Sequence, residues 1–371
     1  MKLLSTLALL CLAPVAALAQ ANDKVAIPPQ IPFAATDVLQ PPADMHLGEV
    51  AGVAVNKAGH IFVFQRGHTS GPAYGAAAAQ LLEFGPDGKF IREIGKGLYA
   101  WSYAHAVRVD PAGNIWAADK GSDMVIRFDP AGKVTWVFGR KPEAADEAAH
   151  PLEHPRPPLA PVEGYFRQVT DMAWDSHGDT FISDGYINSR VAKIDPQGHW
   201  AGSWGSPGSE PGQFNTLHSI AVDGSDRVYV ADRGNRRIQV FDTDGKLLKI
   251  ITIDVPSPAD APTAIGPRPA AGGPNGYAAG ANKTFLPGAP WTLCITPKGA
   301  GRQVLYVSDA WPGRIYKLSL DGEVLGWLGG SGKSVGEFGW IHEIACPSEN
   351  ELYVAELLNW RLQKLVLRPG R

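Results

Sequence analysis

Three histidines, His105, His218 and His342, each stand at the head of a similar apolar pattern: His105-Ala-Val-Arg-Val-Asp110, His218-Ser-Ile-Ala-Val-Asp223 and His342-Glu-Ile-Ala-Cys346. A turn follows each, then an aromatic run ending on an acid: Ile115-Trp-Ala-Ala-Asp119, Val228-Tyr-Val-Ala-Asp232 and Leu352-Tyr-Val-Ala-Glu356. Three imidazoles with a fourth position open for water or substrate is the ligand pattern of catalytic zinc, whereas structural zinc is closed by four protein ligands. Three further residues follow runs of the same kind: Arg66, Tyr186 (in Ser183-Asp-Gly-Tyr186) and Arg233 (in Ala231-Asp-Arg233). Guanidinium groups hold carboxylates by paired hydrogen bonds, and nearby positive charge lowers a phenol's pKa until it can act as a base.

Histidines so far apart in sequence can meet only if the elements carrying them recur around an axis. They do recur. An apolar strand, an Asp/Asn-Gly turn, a φ-Tyr/Trp-Val-x-Asp strand and a third strand repeat at 52–67, 105–134, 170–200, 218–248, 291–325 and 342–367. Residues 218–248 show the pattern most clearly, with Arg237-Ile-Gln-Val-Phe241 alternating at period two before an Asp-Thr-Asp-Gly turn. Six copies of four short antiparallel strands predict an all-β, six-bladed β-propeller, whose radial repetition protects its sheet edges. The sixth copy ends after three strands, so an N-terminal strand near Asp37–Gln40 is expected to close the ring. Ala51, His105, Thr170, His218, Trp291 and His342 then share one position at the start of the inner strands. The histidines fall on the second, fourth and sixth blades, about 120° apart around the channel.

The 371 residues are enough for a large core, and 42 Gly, 31 Pro and 11 Trp suit short strands and tight turns. A formal net charge of -3 gives no electrostatic case for nucleic acid or an anionic membrane. Residues 1–19 read as a signal peptide, with Lys2, an apolar run and Ala17-Leu-Ala19, too short to span a bilayer. A cleaved protein, exported to a periplasm or secreted, is therefore expected. Residues 20–46 form an N-terminal segment containing the closing strand, and 47–371 the propeller. Segments 140–164 and 257–290, rich in Pro and Ala and without strand periodicity, read as long loops over one face. Cys294 and Cys346 could pair in an oxidising compartment, but their apolar strand settings favour buried free thiols.

These residues resemble those of peptidyl-α-hydroxyglycine α-amidating lyase, a six-bladed propeller of NHL-type repeats. The resemblance runs from about residue 48 onward. It is densest where Val-Thr-Asp-Met-Ala, Ser-Asp-Gly-Tyr-Ile-Asn-Ser-Arg and Ala-Asp-Arg-Gly-Asn-Arg-Arg-Ile-Gln-Val-Phe stand in the family's order. It implies a Zn²⁺ on His105, His218 and His342, a catalytic Tyr186, and active-site arginines Arg66 and Arg233. It also implies a structural Ca²⁺ at Glu343, Val53 and Val107, with Glu in place of the family's Asp. Two departures stand out. Ile187 replaces a half-cystine of the family, and Trp340 replaces a pocket methionine two residues before the third histidine.

The resulting expectation is a monomeric, zinc-dependent lyase cleaving an N-(α-hydroxyalkyl) amide that bears a carboxylate, either a peptide or a small molecule, into a primary amide and glyoxylate. A metal-dependent hydrolase on the same scaffold, or a non-catalytic propeller binding a protein or glycan, are the alternatives.

Overall fold

The computed structural model describes residues 27–67, 79–141, 160–258, 260–264, 283–299 and 301–368. Their strands form six four-stranded antiparallel sheets arranged as a six-bladed propeller. The innermost strands are Val50–Val55, Ala104–Val109, Asp171–Trp174, Leu217–Val222, Thr292–Ile295 and Ile341–Ser348. Each packs against the next, and the last packs against the first.

The sequence pattern explains the layering. Second strands such as Val228–Asp232 are buried at every position, which is why they read as continuous apolar runs. Outer strands such as Leu247–Ile251 are largely exposed. Apolar clusters fill the wedges between neighbouring blades: Phe64, Trp101 and Phe128 between the first and second, and Phe181, Phe214 and Phe241 between the third and fourth. Fully burying one such ring contributes about 1.5–3 kcal/mol.

The acids that end the second strands are structural hubs. Asp232 accepts hydrogen bonds from the Asn215 amide, Asn235 Nδ2 and Arg237 Nε. Glu356 does the same with Gly339, Asn359 and Arg361.

Two expectations need correction. The closing strand is Phe33–Asp37, paired with Arg361–Leu367 from Phe33↔Leu367 to Asp37↔Gln363, rather than Asp37–Gln40. By Gln40 the chain has already crossed to the first blade, where Gln40 bridges to Lys89. Cys294 and Cys346 are not free thiols but a disulfide. The ring sets the inner strands of blades five and six side by side, with the two Cα atoms 6.1 Å apart.

The signal peptide expected at 1–19 lies outside the described residues, as does most of 140–164 and 257–290, whose described flanks hold no strand. Among the described residues no helix is long and apolar enough to cross a membrane.

Candidate metal centre

His105, His218 and His342 come together on the channel axis, each buried, with ring centroids 4.5–4.8 Å apart. One ligand nitrogen from each lies within 4.8 Å of the others. The Nδ1 atoms are engaged elsewhere. His105 Nδ1 lies 2.7 Å from Thr170 O, His218 Nδ1 2.5 Å from Trp291 O, and His342 Nδ1 2.7 Å from Ala51 O. A carbonyl can only accept, so each Nδ1 carries the proton and each Nε2 presents a lone pair. Each acceptor is the reference residue of the following blade, so the ring itself fixes the tautomers. Burial, followed by the positive surroundings of the channel mouth, holds all three imidazoles well below the ordinary histidine range and therefore neutral. Three neutral, pre-aimed nitrogens, each ring held in orientation by a carbonyl on its other nitrogen, fit Zn²⁺.

Tyr186 stands over this trio, its hydroxyl 3.1 Å from His218 Nε2 and 3.5 Å from His105 Nε2. Burial alone would push its phenol up. Arg233, Lys120 and Arg66 outweigh that and bring it below the ordinary tyrosine range.

The two arginines are not equivalent. Arg66 donates to Glu49 Oε2 (2.8 Å) and Ala104 O (3.0 Å) and stacks on Tyr103 at 3.9 Å. Arg233 is buried, reaches Tyr186 Oη at 3.5 Å, lies 4.5 Å over Trp291, and pairs with no carboxylate among the described residues. Its Nε has no hydrogen-bond partner. A desolvated guanidinium with unused donors is a receptor for an anion.

Trp340 forms one wall with Trp291 and Phe285, ring centroids 5.4–5.9 Å apart. Lys120, whose Nζ sits 3.9 Å over the Tyr186 ring, was missed from sequence. The signal was there: Lys120 follows Asp119 as Arg233 follows Asp232 and Arg66 follows Gln65.

The residues expected to hold Ca²⁺ do meet, but as a different structure. Glu343 Oε2 accepts the amide protons of Val53 (2.7 Å) and Val107 (3.1 Å). Gly52 makes the approach possible, because a Cβ there would lie 2.8 Å from Val107 N and 2.9 Å from Glu343 Oε2. Glu343 Oε1 lies 3.1 Å from Arg108 Nε, so a guanidinium already supplies the positive charge. Burial pushes the Glu343 carboxyl up, Arg108 pulls it back, and Asp171 pushes it further. This carboxylate–guanidinium cluster does not fit a Ca²⁺ site, which takes six to eight oxygens at about 2.3–2.6 Å.

Comparison with known proteins bears on the fold and the kinship of the chain. An NHL repeat model matches residues 214–241, the fourth blade. Peptidylglycine α-amidating monooxygenase of Rattus norvegicus is 32% identical over 222 residues, 54% of this chain and 21% of that protein. A probable peptidyl-α-hydroxyglycine α-amidating lyase of Caenorhabditis elegans is 31% identical over 215 residues, 53% of this chain and 56% of that one. The matched stretch is thus about half of this chain and roughly half or less of each relative. Among solved structures, virginiamycin B lyase of Staphylococcus aureus aligns over 91% of this chain and 100% of its own at a TM-score of 0.52 and 12% identity, a likeness of fold alone. The chain carries an NHL repeat and is homologous to proteins of the amidating monooxygenase and lyase group.

Proposed function

We propose that the protein is an exported, zinc-dependent lyase that cleaves an N-(α-hydroxyalkyl) amide, such as a peptidyl-α-hydroxyglycine or a small hydroxyglycine analogue, to a primary amide and glyoxylate. One observation carries the reading: a phenol of lowered pKa stands 3.1 Å from one of three converged histidines, beside an arginine that pairs with no carboxylate among the described residues. The named amidating relatives and the inter-blade disulfide, a bond typical of oxidising compartments, support it.

His105, His218 and His342 would hold the ion through Nε2. Bound there, Zn²⁺ supplies Lewis acidity that polarises the substrate's hydroxyl oxygen and lowers its pKa. Tyr186, as phenolate, accepts the hydroxyl proton. As the C–O bond becomes C=O the C–N bond breaks, and Tyr186 returns the proton to the departing amide nitrogen. Arg233 holds the substrate carboxylate and, with Lys120 and Arg66, favours the phenolate form of Tyr186. Trp291, Trp340 and Phe285 form an apolar wall against which the acyl side of the amide packs.

Incubating the zinc-loaded protein with α-hydroxyhippurate should release glyoxylate and benzamide in equal amounts, with Tyr186→Phe as the control. No water is consumed, which separates this outcome from a hydrolase. Absence of glyoxylate from this substrate and from ureidoglycolate, whose amide product would be urea, would sink the proposal.

A further inference from the structure

Below the histidines the channel is crossed by one network that touches all six blades. Arg108, on the second blade, donates Nε to Asp171 Oδ1 (3.0 Å) and Nη2 to Asp171 Oδ2 (2.7 Å), a paired contact to the third blade. It also reaches Leu293 O and Ile344 O on the fifth and sixth blades, each at 3.4 Å. Asp171 accepts Ser219 Oγ (2.7 Å) and the Ile220 amide (3.2 Å) on the fourth. Glu343, ion-paired with Arg108, takes the Val53 amide of the first.

We infer that Arg108 is a built-in replacement for a channel metal ion: its guanidinium bridges the Asp171 and Glu343 carboxylates and ties the inner strands together, so the propeller needs no Ca²⁺ at its axis. The guanidinium is planar, permanently charged and able to donate in several directions at once, which suits it to carboxylates and carbonyls arranged around an axis. A divalent ion would have to share the Glu343 carboxylate with that fixed positive charge. Glu343 Oε2 already accepts two amides and both Asp171 oxygens accept donors, which leaves Glu343 Oε1, without a hydrogen bond among the described residues, facing the Arg108 guanidinium at 3.1 Å. Removing Arg108 converts the layer into two buried carboxylates without a counter-charge, an arrangement that is costly unless a cation enters.

The test uses full-length mature protein, stripped of metal by dialysis and resupplied with zinc alone, so that Tm and metal content rather than activity are read. Wild type should hold no stoichiometric calcium, and its Tm should not move with millimolar CaCl2. Arg108→Ser should lose roughly 10 °C in Tm and regain most of it with CaCl2, binding calcium as it does so. Stoichiometric calcium in the wild type, lost in Glu343→Gln, would overturn the inference, as would an Arg108→Ser protein indifferent to calcium. If Arg108→Ser does not fold, Arg108→Lys and the double variant Arg108→Ser/Glu343→Gln decide. Recovery of folding by either restored charge balance supports the role, and failure of both refutes it. These readings stand whether or not the lyase activity is found.

Discussion

Two layers of one channel, the histidine trio and the Arg108–Asp171–Glu343 cluster, are built on opposite principles. The histidine layer is electrically neutral, and its three Nε2 lone pairs point at the axis with only the Tyr186 hydroxyl of the described residues against them. The layer below is densely charged, yet Arg108, Asp171 and Glu343 answer one another. The upper layer is arranged to receive a ligand, and the lower one is closed. Neutrality above comes from burial and the positive charge at the mouth, while backbone carbonyls fix the tautomers. Closure below depends on a side chain long enough to cross the axis.

Substitutions in the upper layer should therefore remove chemistry and spare the fold. His218→Ala should lose stoichiometric zinc and drop turnover to background, with the six-bladed structure retained by circular dichroism. Tyr186→Phe should keep its zinc and lose roughly 10²–10⁴ in kcat, the scale of a missing general base. If Tyr186→Phe retained wild-type kcat, the base would lie elsewhere and the reading of the mouth would fail.

A smaller effect separates the two arginines. Arg233→Gln should raise KM for a carboxylate-bearing substrate roughly 10–100-fold, the range for a hydrogen bond to a charged group. It should change KM little for the corresponding uncharged amide. Arg66→Gln should affect KM less, because Glu49 and Ala104 already use its donors. Equal KM effects from both would show that the ion pair with Glu49 opens when substrate binds.

The fold and the histidine trio were legible because a repeat turns sequence position into angular position: His105, His218 and His342 needed only a count of blades. Lys120 was legible by the same rule, but it reads as the tail of a strand ending at Asp119. The disulfide was not visible from Cys294 or Cys346 taken alone, since an apolar strand suits a buried thiol and only the neighbouring blade makes it a partner. Arg108 was harder still. It lies three residues past His105 on one strand, while Asp171 is one past Thr170 and Glu343 one past His342. Only the reach of the arginine side chain brings a third-step residue to first-step carboxylates on other blades. The closing strand was misplaced by a few residues because Phe33-Ala-Ala-Thr-Asp37 has little alternation to fix its register.

The smallest effect tests how the mouth tunes its base. Burial raises the Tyr186 phenol, and the charges of Arg233, Lys120 and Arg66 lower it by more. With the phenolate as the proposed active form, kcat/KM should rise with pH and level off below the range of a free phenol. Lys120→Met removes one of the three charges and no hydrogen bond from Arg233. The ascending limb should then move up by about one pH unit, with the plateau rate little changed. A limb that stays in place would mean that Arg233 and the bound ion govern the phenol alone. A limb that moves down would place the titration on a different group, because removing a cation can only make a phenolate harder to form.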